Sequence, residues 1–310
     1  MILTINLNPV LEKMYYMEKL LPRVETEAEK VVYKSGGAGI NTSQILNSLN
    51  VDVLPIGFLG GLSGKYIYND LTEQRIDSDF TIIKDETQSA IWIIENNKFL
   101  SKIVEMKPRI TRDELGGFYE LYKNIISKCS IICGNGSVPI GTPEEIYFDL
   151  ITLCNKENKK FLLEAEDIEL QYGIEAKPYM VKITVGQLEN LTRLKLNFEN
   201  EIIKAANYIL EKDVELVIVD LDVKGSIVLT KERGYRLEVN DIDLSKIGID
   251  QGYTLSGYGY GIEKNYDLDM TMRLGQSFRI AYSIAENIRE IDMSDIKKIM
   301  SSITIMPIYY

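Results

Sequence analysis

The feature that most constrains this chain is an alternation of strand-length and helix-length segments that runs from its first residue to residue 221. Residues 1–6 form a short apolar run that stops at Asn8-Pro9, a turn signal. Gly36-Gly37-Ala38-Gly39 then opens residues 40–49, whose apolar positions have helical spacing; residues 51–58 read as a buried strand and 64–75 as a helix. The order recurs three times, with helices at 111–127, 143–155 and 199–212 preceding strands at 129–133, 161–164 and 215–221. This rhythm predicts an α/β fold, a mostly parallel sheet with helices on both faces and ligands at the carboxyl ends of the strands.

Two regions depart from it. Residues 14–34 and 89–105 alternate in polarity with no helix between, and SAIWIIENNKFLSKIVE reads as a hairpin around Asn96-Asn97. Both leave and re-enter the α/β core. The expected division is a core of residues 1–10, 35–86 and 109–310 and a small β-sheet lid of residues 11–34 and 87–108. A sheet face carrying Tyr15, Tyr16 and Trp92 is suited to cover a site or to join two subunits, and Trp92 is assigned to the subunit interface.

Composition narrows the chemistry. With 46 acidic against 35 basic residues the formal charge is -11, which argues against nucleic acid and anionic membrane surfaces as partners. Cys129, Cys133 and Cys154 lie in or beside apolar stretches and read as reduced core residues of a cytoplasmic protein; no signal-peptide start or 18-residue apolar run is present. Histidine is absent, so the sequence offers no Ser-His or Cys-His catalysis and no histidine-ligated metal. Carboxylates, lysines, hydroxyls and backbone remain.

One glycine-rich run, GIDQGYTLSGYGYG at residues 248–261, opens onto a helical segment. Free amides at a helix N-terminus attract anions, and such runs can cradle phosphate. This run holds no lysine or arginine, and its one carboxylate is Asp250. Tyr253, Tyr258 and Tyr260 read as core or interface rather than a stacking platform.

The order and spacing of TINLNPVLEK, GGAGINTSQILNSLNVDVLPIGFLGGLSG, GNGSVPIGTPEEIY, AKPYMVKITVGQLENL and KGSIVLT resemble the PfkB (ribokinase-like) carbohydrate kinases, closest to the 1-phosphofructokinase and tagatose-6-phosphate kinase branch. The resemblance runs from the start to the segment around Arg273–Gly275. It implies a ribokinase-like three-layer fold with a β-sheet lid, often dimeric through the lid. It also implies ATP- and Mg²⁺-dependent phosphorylation of a sugar or sugar phosphate. The family's Gly-Ala-Gly-Asp loop neutralises the transferring phosphoryl with its amides, and its aspartate takes the substrate hydroxyl's proton.

Counting back from Gly257 as the family's helix glycine places that loop on Ile249, Asp250, Gln251 and Gly252. The base position is therefore Gly252. By the same resemblance the substrate side keeps Glu12 in place of an aspartate, with Gly36, Gly37 and Asn41, while a lysine becomes Ala38 and a lid arginine becomes Gln88. On the nucleotide side Lys-Pro-Asn-x-x-Glu reads Lys182, Ile183, Thr184 and, three residues on, Gln187. A Ser/Thr-Leu-Gly turn reads Asp220-Leu221-Asp222, with Asp220 and Asp222 expected as alternate residues on one strand face.

A positioned base contributes roughly 10²–10⁴-fold and a preorganised donor roughly 10²–10³-fold to such reactions. Losing both is expected to leave little phosphotransferase activity. The expected protein binds a sugar-like ligand or a partner, with no assigned cofactor or metal, and forms a homodimer through the lid. Two alternatives stay open: an active ATP- and Mg²⁺-dependent hexose-phosphate kinase using Asp250 as base, or a non-catalytic subunit of an active homologue. Asp220, Asp222, Asp250 and Glu164 are also considered as a set converging on a cation, and Ile249 and Gln251 as residues that fill the old pocket.

Overall fold

The structure, a computed structural model, describes residues 1–96, 98–240, 242–243, 248–285 and 287–309. Asn97 of the expected hairpin turn lies outside the described residues. The first half of the chain forms β1 (Ile2–Asn6), β2 (Val10–Met17), β3 (Lys30–Gly36), α1 (Ala38–Ser48), β4 (Val53–Gly60), α2 (Gly61–Glu73), β5 (Asp79–Ile83), β6 (Ser89–Glu95), β7 (Lys98–Val104) and α3 (Arg112–Ile126). Next come β8 (Ile131–Asn135), α4 (Ile146–Lys156), β9 (Lys160–Glu164), α5 (Asp167–Glu175), β10 (Met180–Thr184), α6 (Val185–Thr192), α7 (Glu199–Leu210) and β11 (Leu216–Asp220). The chain closes with β12 (Ser226–Thr230), β13 (Gly234–Val239), α8 (Tyr253–Glu263), α9 (Leu268–Ile284), α10 (Met293–Met300) and β14 (Ile303–Ile308).

Ten strands form one sheet in the order β14-β13-β12-β11-β10-β9-β8-β1-β4-β5. It is parallel from β11 to β5, and the other edge, β12 to β14, is antiparallel. Alternate strand residues feed two separate cores, as period-2 side chains of a sheet covered on both faces must. Leu3, Ile5, Val181 and Val217 pack with α3 to α7, while Ile2, Ile131, Met180 and Leu216 pack with α1, α2, α8, α9 and α10. This is a three-layer α/β arrangement. Tyr253, Tyr258 and Tyr260 belong to the second core, and Gly257 lets α8 approach α9 so closely that a Cβ there would lie 2.7 Å from the Gly275 Cα.

A second, four-stranded sheet has the order β3-β2-β6-β7. Its β2–β6 pair is parallel and the other two pairs are antiparallel. Trp92, on β6, is covered within this sheet by the Phe99 ring at 5.4 Å and by Lys102 Nζ, 4.1 Å from its ring centre. Both edge strands carry uncovered apolar side chains: Phe99, Leu100, Ile103 and Val104 on β7, and Val31 and Tyr33 on β3.

The carboxyl ends of β1, β8, β9, β10 and β11 lie side by side. They carry Asn6, Asn135, Glu164, Thr184 and Asp220 to one edge, with Asn135 opposite Glu164 and Thr184 opposite Asp220. Helix α8 starts against the same edge: a Cβ on its N-cap, Gly252, would lie 2.8 Å from Asn135 Nδ2.

Candidate active site at the strand ends

At this edge a lysine stands in the middle of the carboxylates. Lys182 points its ammonium to within 2.6 Å of Glu164 Oε1, 3.1 Å of Asp250 Oδ2 and 3.5 Å of Asp220 Oδ2, and its side chain is 3% exposed. Three of the four acidic residues considered as cation ligands thus meet on a cation that belongs to the protein. Among the described residues no group of three or more acidic or cysteine side chains is arranged to hold a metal ion.

The second cation is Arg279, on α9. Its Nε lies 3.7 Å from Asp220 Oδ2 and 4.0 Å from Asp250 Oδ2, its Nη2 reaches Asp222 Oδ1 at 3.4 Å, and its Nη1 donates to the Gly248 carbonyl at 2.7 Å. The guanidinium ties the segment before α8 to the end of β11.

Asp250 is the shared partner of both cations. Its Oδ1 accepts from the backbone N–H of Tyr253 at 2.8 Å and of Thr254 at 3.4 Å, the first two helical residues of α8. Burial works to raise this carboxyl, and Lys182, Arg279 and the donated hydrogen bonds overturn that, holding it below the usual carboxylate range. Glu164 has the opposite fate. Burial pushes it up to about 7; Lys182 opposes, while the neighbouring Asp250 and Asp220 reinforce. Burial and the neighbouring carboxylates therefore outweigh the ammonium at Glu164, whose Oε2 has no hydrogen-bond partner among the described residues. Lys182 is itself raised: burial would lower it, and Asp250, Glu164 and Asp220 outweigh burial.

Asp220 and Asp222 do not share a strand face. Strand β11 ends at Asp220, and Asp222 opens a 3-10 turn with a φ of 59°. Period-2 alternation holds only while the strand lasts. The Asp220 side chain is 11% exposed and faces the two cations; that of Asp222 is 76% exposed.

Gly252 holds a φ of 86°, in the left-handed region. A Cβ there would fall 2.4 Å from the Ala38 carbonyl oxygen, 2.7 Å from Thr42 Oγ1 and 2.8 Å from Asn135 Nδ2. Two of these are parts of α1 and one is on β8, so the position is closed from two directions.

Thr184 and Gln187 form a capping box at the start of α6. Thr184 Oγ1 accepts from the Gln187 N–H at 3.2 Å, and Gln187 Oε1 accepts from the Thr184 N–H at 2.9 Å. Gln187 Nε2 donates to the Ala165 carbonyl. Both side chains are used within the protein.

On the lid side, Glu12 on β2 packs over Gly36, where a Cβ would lie 3.0 Å from Glu12 Cγ. Its carboxylate is 3.8 Å from Lys102 Nζ, and burial raises it above its ordinary range against the pull of Lys102 and Lys34. Gly37, the N-cap of α1 with a φ of 101°, leaves room for Asn6, whose Nδ2 would be 2.7 Å from an added Cβ. Asn41 donates to the backbone and side-chain oxygens of Gln251 at 3.2 and 3.3 Å. Gln88 is buried, accepting from Asn8 at 2.7 Å and donating to the Glu105 carbonyl at 2.6 Å. Among the described residues Asn6 Nδ2, Asn8 Oδ1 and Asn135 Oδ1 are buried without a hydrogen-bond partner. Ile249 does not fill a pocket; it is 80% exposed.

The structure thus gathers Lys182, Asp220, Asp250 and Glu164 in one cluster, sets Glu12 and Gly36 in the lid sheet with Gly37 next to it, and joins Asn41 to Gln251 before α8. Arg279 was missed in the sequence. Its signal is a lone arginine in the apolar helical stretch SFRIAYSI, a placement that requires a buried counter-charge. The T-x-x-Q cap at 184–187 was equally readable.

The chain matches the pfkB family of carbohydrate kinases over residues 5–241. It is 26% identical over 311 residues to a 1-phosphofructokinase of Borreliella burgdorferi, covering 100% of this chain and 99% of that protein. A solved structure described as a possible 1-phosphofructokinase from Thermotoga maritima superposes with a TM-score of 0.88 at 25% identity, covering 99% of each chain. Phosphofructokinase-2 from Escherichia coli in complex with fructose-6-phosphate superposes with a TM-score of 0.85 at 20% identity over 97% of this chain and 98% of that one, a likeness of fold.

Proposed function

The chain belongs to the pfkB family of carbohydrate kinases, and from that premise we propose that it is a 1-phosphofructokinase-like member that retains a sugar site and has lost phosphotransferase activity. The observation that carries this reading is the packing at Gly252. The position that the family resemblance assigns to the proton acceptor has no room for a side chain, with backbone and side-chain atoms under 3 Å from any Cβ.

The surroundings do not fit a magnesium nucleotide. Asp250 already engages the first amides of α8, and Thr184 and Gln187 bond to each other. Asp250 is a poor replacement base, because Lys182, Arg279 and two amides stabilise its ionised form and leave it little affinity for a proton. Asn6 Nδ2, Asn8 Oδ1 and Asn135 Oδ1, which have no hydrogen-bond partner among the described residues, offer one donor and two acceptors suited to sugar hydroxyls.

We place a homodimer contact on β7, an edge strand whose exposed Phe99, Leu100, Ile103 and Val104 leave apolar side chains on both of its faces. Light scattering should report a dimer for the wild-type protein and a monomer for Phe99→Lys/Ile103→Lys.

The test of function is direct. Purified protein with ATP, Mg²⁺ and a panel of ketoses and ketose phosphates should give no turnover, while one of these sugars alone raises the melting temperature. Turnover that Asp250→Asn abolishes would establish the active-kinase reading instead, and co-purification with an active homologue would favour the subunit role.

A further inference from the structure

The N-terminus of α8 is equipped as an oxyanion site. It combines the N–H groups of Tyr253 and Thr254, the ammonium of Lys182 and the guanidinium of Arg279. Both cationic side chains are buried, at 3% and 4% exposure, and among the described residues Arg279 Nε has no hydrogen-bond partner although it faces the cluster. Two buried cations aimed at a helix N-terminus are not needed to cap a helix; one side-chain oxygen does that. What occupies the convergence point is Asp250. One of its oxygens takes the two amides and the other faces both cations.

We propose that Asp250 is a tethered internal ligand: its carboxylate fills a latent site for a small tetrahedral oxyanion and thereby keeps phosphate out of the protein. The inference deepens the reading given above and rests on it, in that the α8 N-terminus is taken as closed to a phosphoryl group. A tethered carboxylate has the advantage of effective concentration over any free anion, since it gives up no translational freedom on binding. Asp220 reinforces the exclusion. It lies 3.5 Å from Lys182 and 3.7 Å from Arg279 and offsets part of the charge that a phosphate would meet.

Five proteins test this by calorimetry with inorganic phosphate at pH 7.5, each checked for a cooperative thermal transition. The wild type and Asp220→Ser should show no binding, because Asp250 still holds the amides in both. Asp250→Gly should bind phosphate in the millimolar range, and Asp250→Gly/Asp220→Ser about tenfold more tightly or better. Adding Arg279→Gln to the double variant should remove the binding. If the glycine variant fails to fold, Asp250→Ser carries the same expectation.

The proposal is overturned if the wild type or Asp220→Ser binds phosphate as tightly as Asp250→Gly, or if folded Asp250→Gly and Asp250→Gly/Asp220→Ser bind none. These outcomes are separate from the kinase assay. Turnover by the wild type removes the reading of lost activity, whereas absence of phosphate binding in the folded variants removes only the internal ligand.

Discussion

Lys182 Nζ and Asp250 Oδ2 lie 3.1 Å apart between the end of a parallel strand and the N-terminus of a helix on the far face of the sheet. The pair joins the two halves of the site. It is also the contact on which most of the site's energetics turn, because both partners are almost wholly removed from water.

Removing the lysine should be severe. Lys182→Met leaves Glu164, Asp220 and Asp250 facing one another with only Arg279 to offset them, and an uncompensated buried charge costs about 3–5 kcal/mol. Chemical denaturation should show a loss of that size. A loss below about 1 kcal/mol would mean that the carboxylates reach water.

Installing the family's aspartate should not restore a kinase. Gly252→Asp puts a β-carbon into the left-handed region and against the Ala38 carbonyl, Thr42 and Asn135. Strain and overpacking together predict a destabilisation of at least about 2 kcal/mol. Steady-state assays with ATP and Mg²⁺ should remain at background, and a stable, active Gly252→Asp protein would refute the packing account.

The pH dependence of stability follows from Glu164. Its carboxyl titrates near 4.5 when unfolded and about 7 when folded. Between these values the folded state holds more protons than the unfolded one, so this group's stabilisation is lost as pH rises, by on the order of 1–3 kcal/mol. Glu12, also raised, acts with the same sign. Asp250 acts oppositely: its carboxyl is lowered from 3.8, so its contribution is present above that pH and lost as the solution becomes more acidic. Melts from pH 4.5 to 8 should slope downward, and Glu164→Gln should flatten the slope without abolishing it. An unchanged slope in that variant would place the proton elsewhere.

Thr184→Ala should cost about 1 kcal/mol by removing a helix cap. It should leave sugar-dependent thermal stabilisation untouched, because the Thr184 hydroxyl is engaged with Gln187 of α6. A variant that lost sugar stabilisation while keeping its fold would assign Thr184 to the ligand.

The fold was legible where periodicity was strong. The glycine loop into α1, the helix α3 and the strand β11 stand within two residues of their expected limits, because apolar spacing and burial agree there. Strand β8 begins two residues later than read, since Cys129 belongs to the turn after α3. Elements α5, β10 and α6 were not resolved by spacing; they are short and follow one another with little or no loop, so their patterns merge.

The site was legible only in part. Asp250, Gly252, Glu164 and Asp220 were all singled out from the sequence. The electrostatic meaning of their positions depends on Lys182 and Arg279, whose ammonium and guanidinium arrive from β10 and α9. Charge balance in a buried cluster is a property of distant segments brought together, and no window of sequence contains it.

One consequence of the shared ammonium concerns relatives rather than this molecule alone. Glu164, Asp220 and Asp250 sit on three separate segments yet all draw on the ammonium of Lys182, on a fourth. Exchanging any one of them changes what the other three require. Across descendants of such a chain these four positions should therefore drift as a correlated set, and homologues that lack the lysine should lack most of its acids as well.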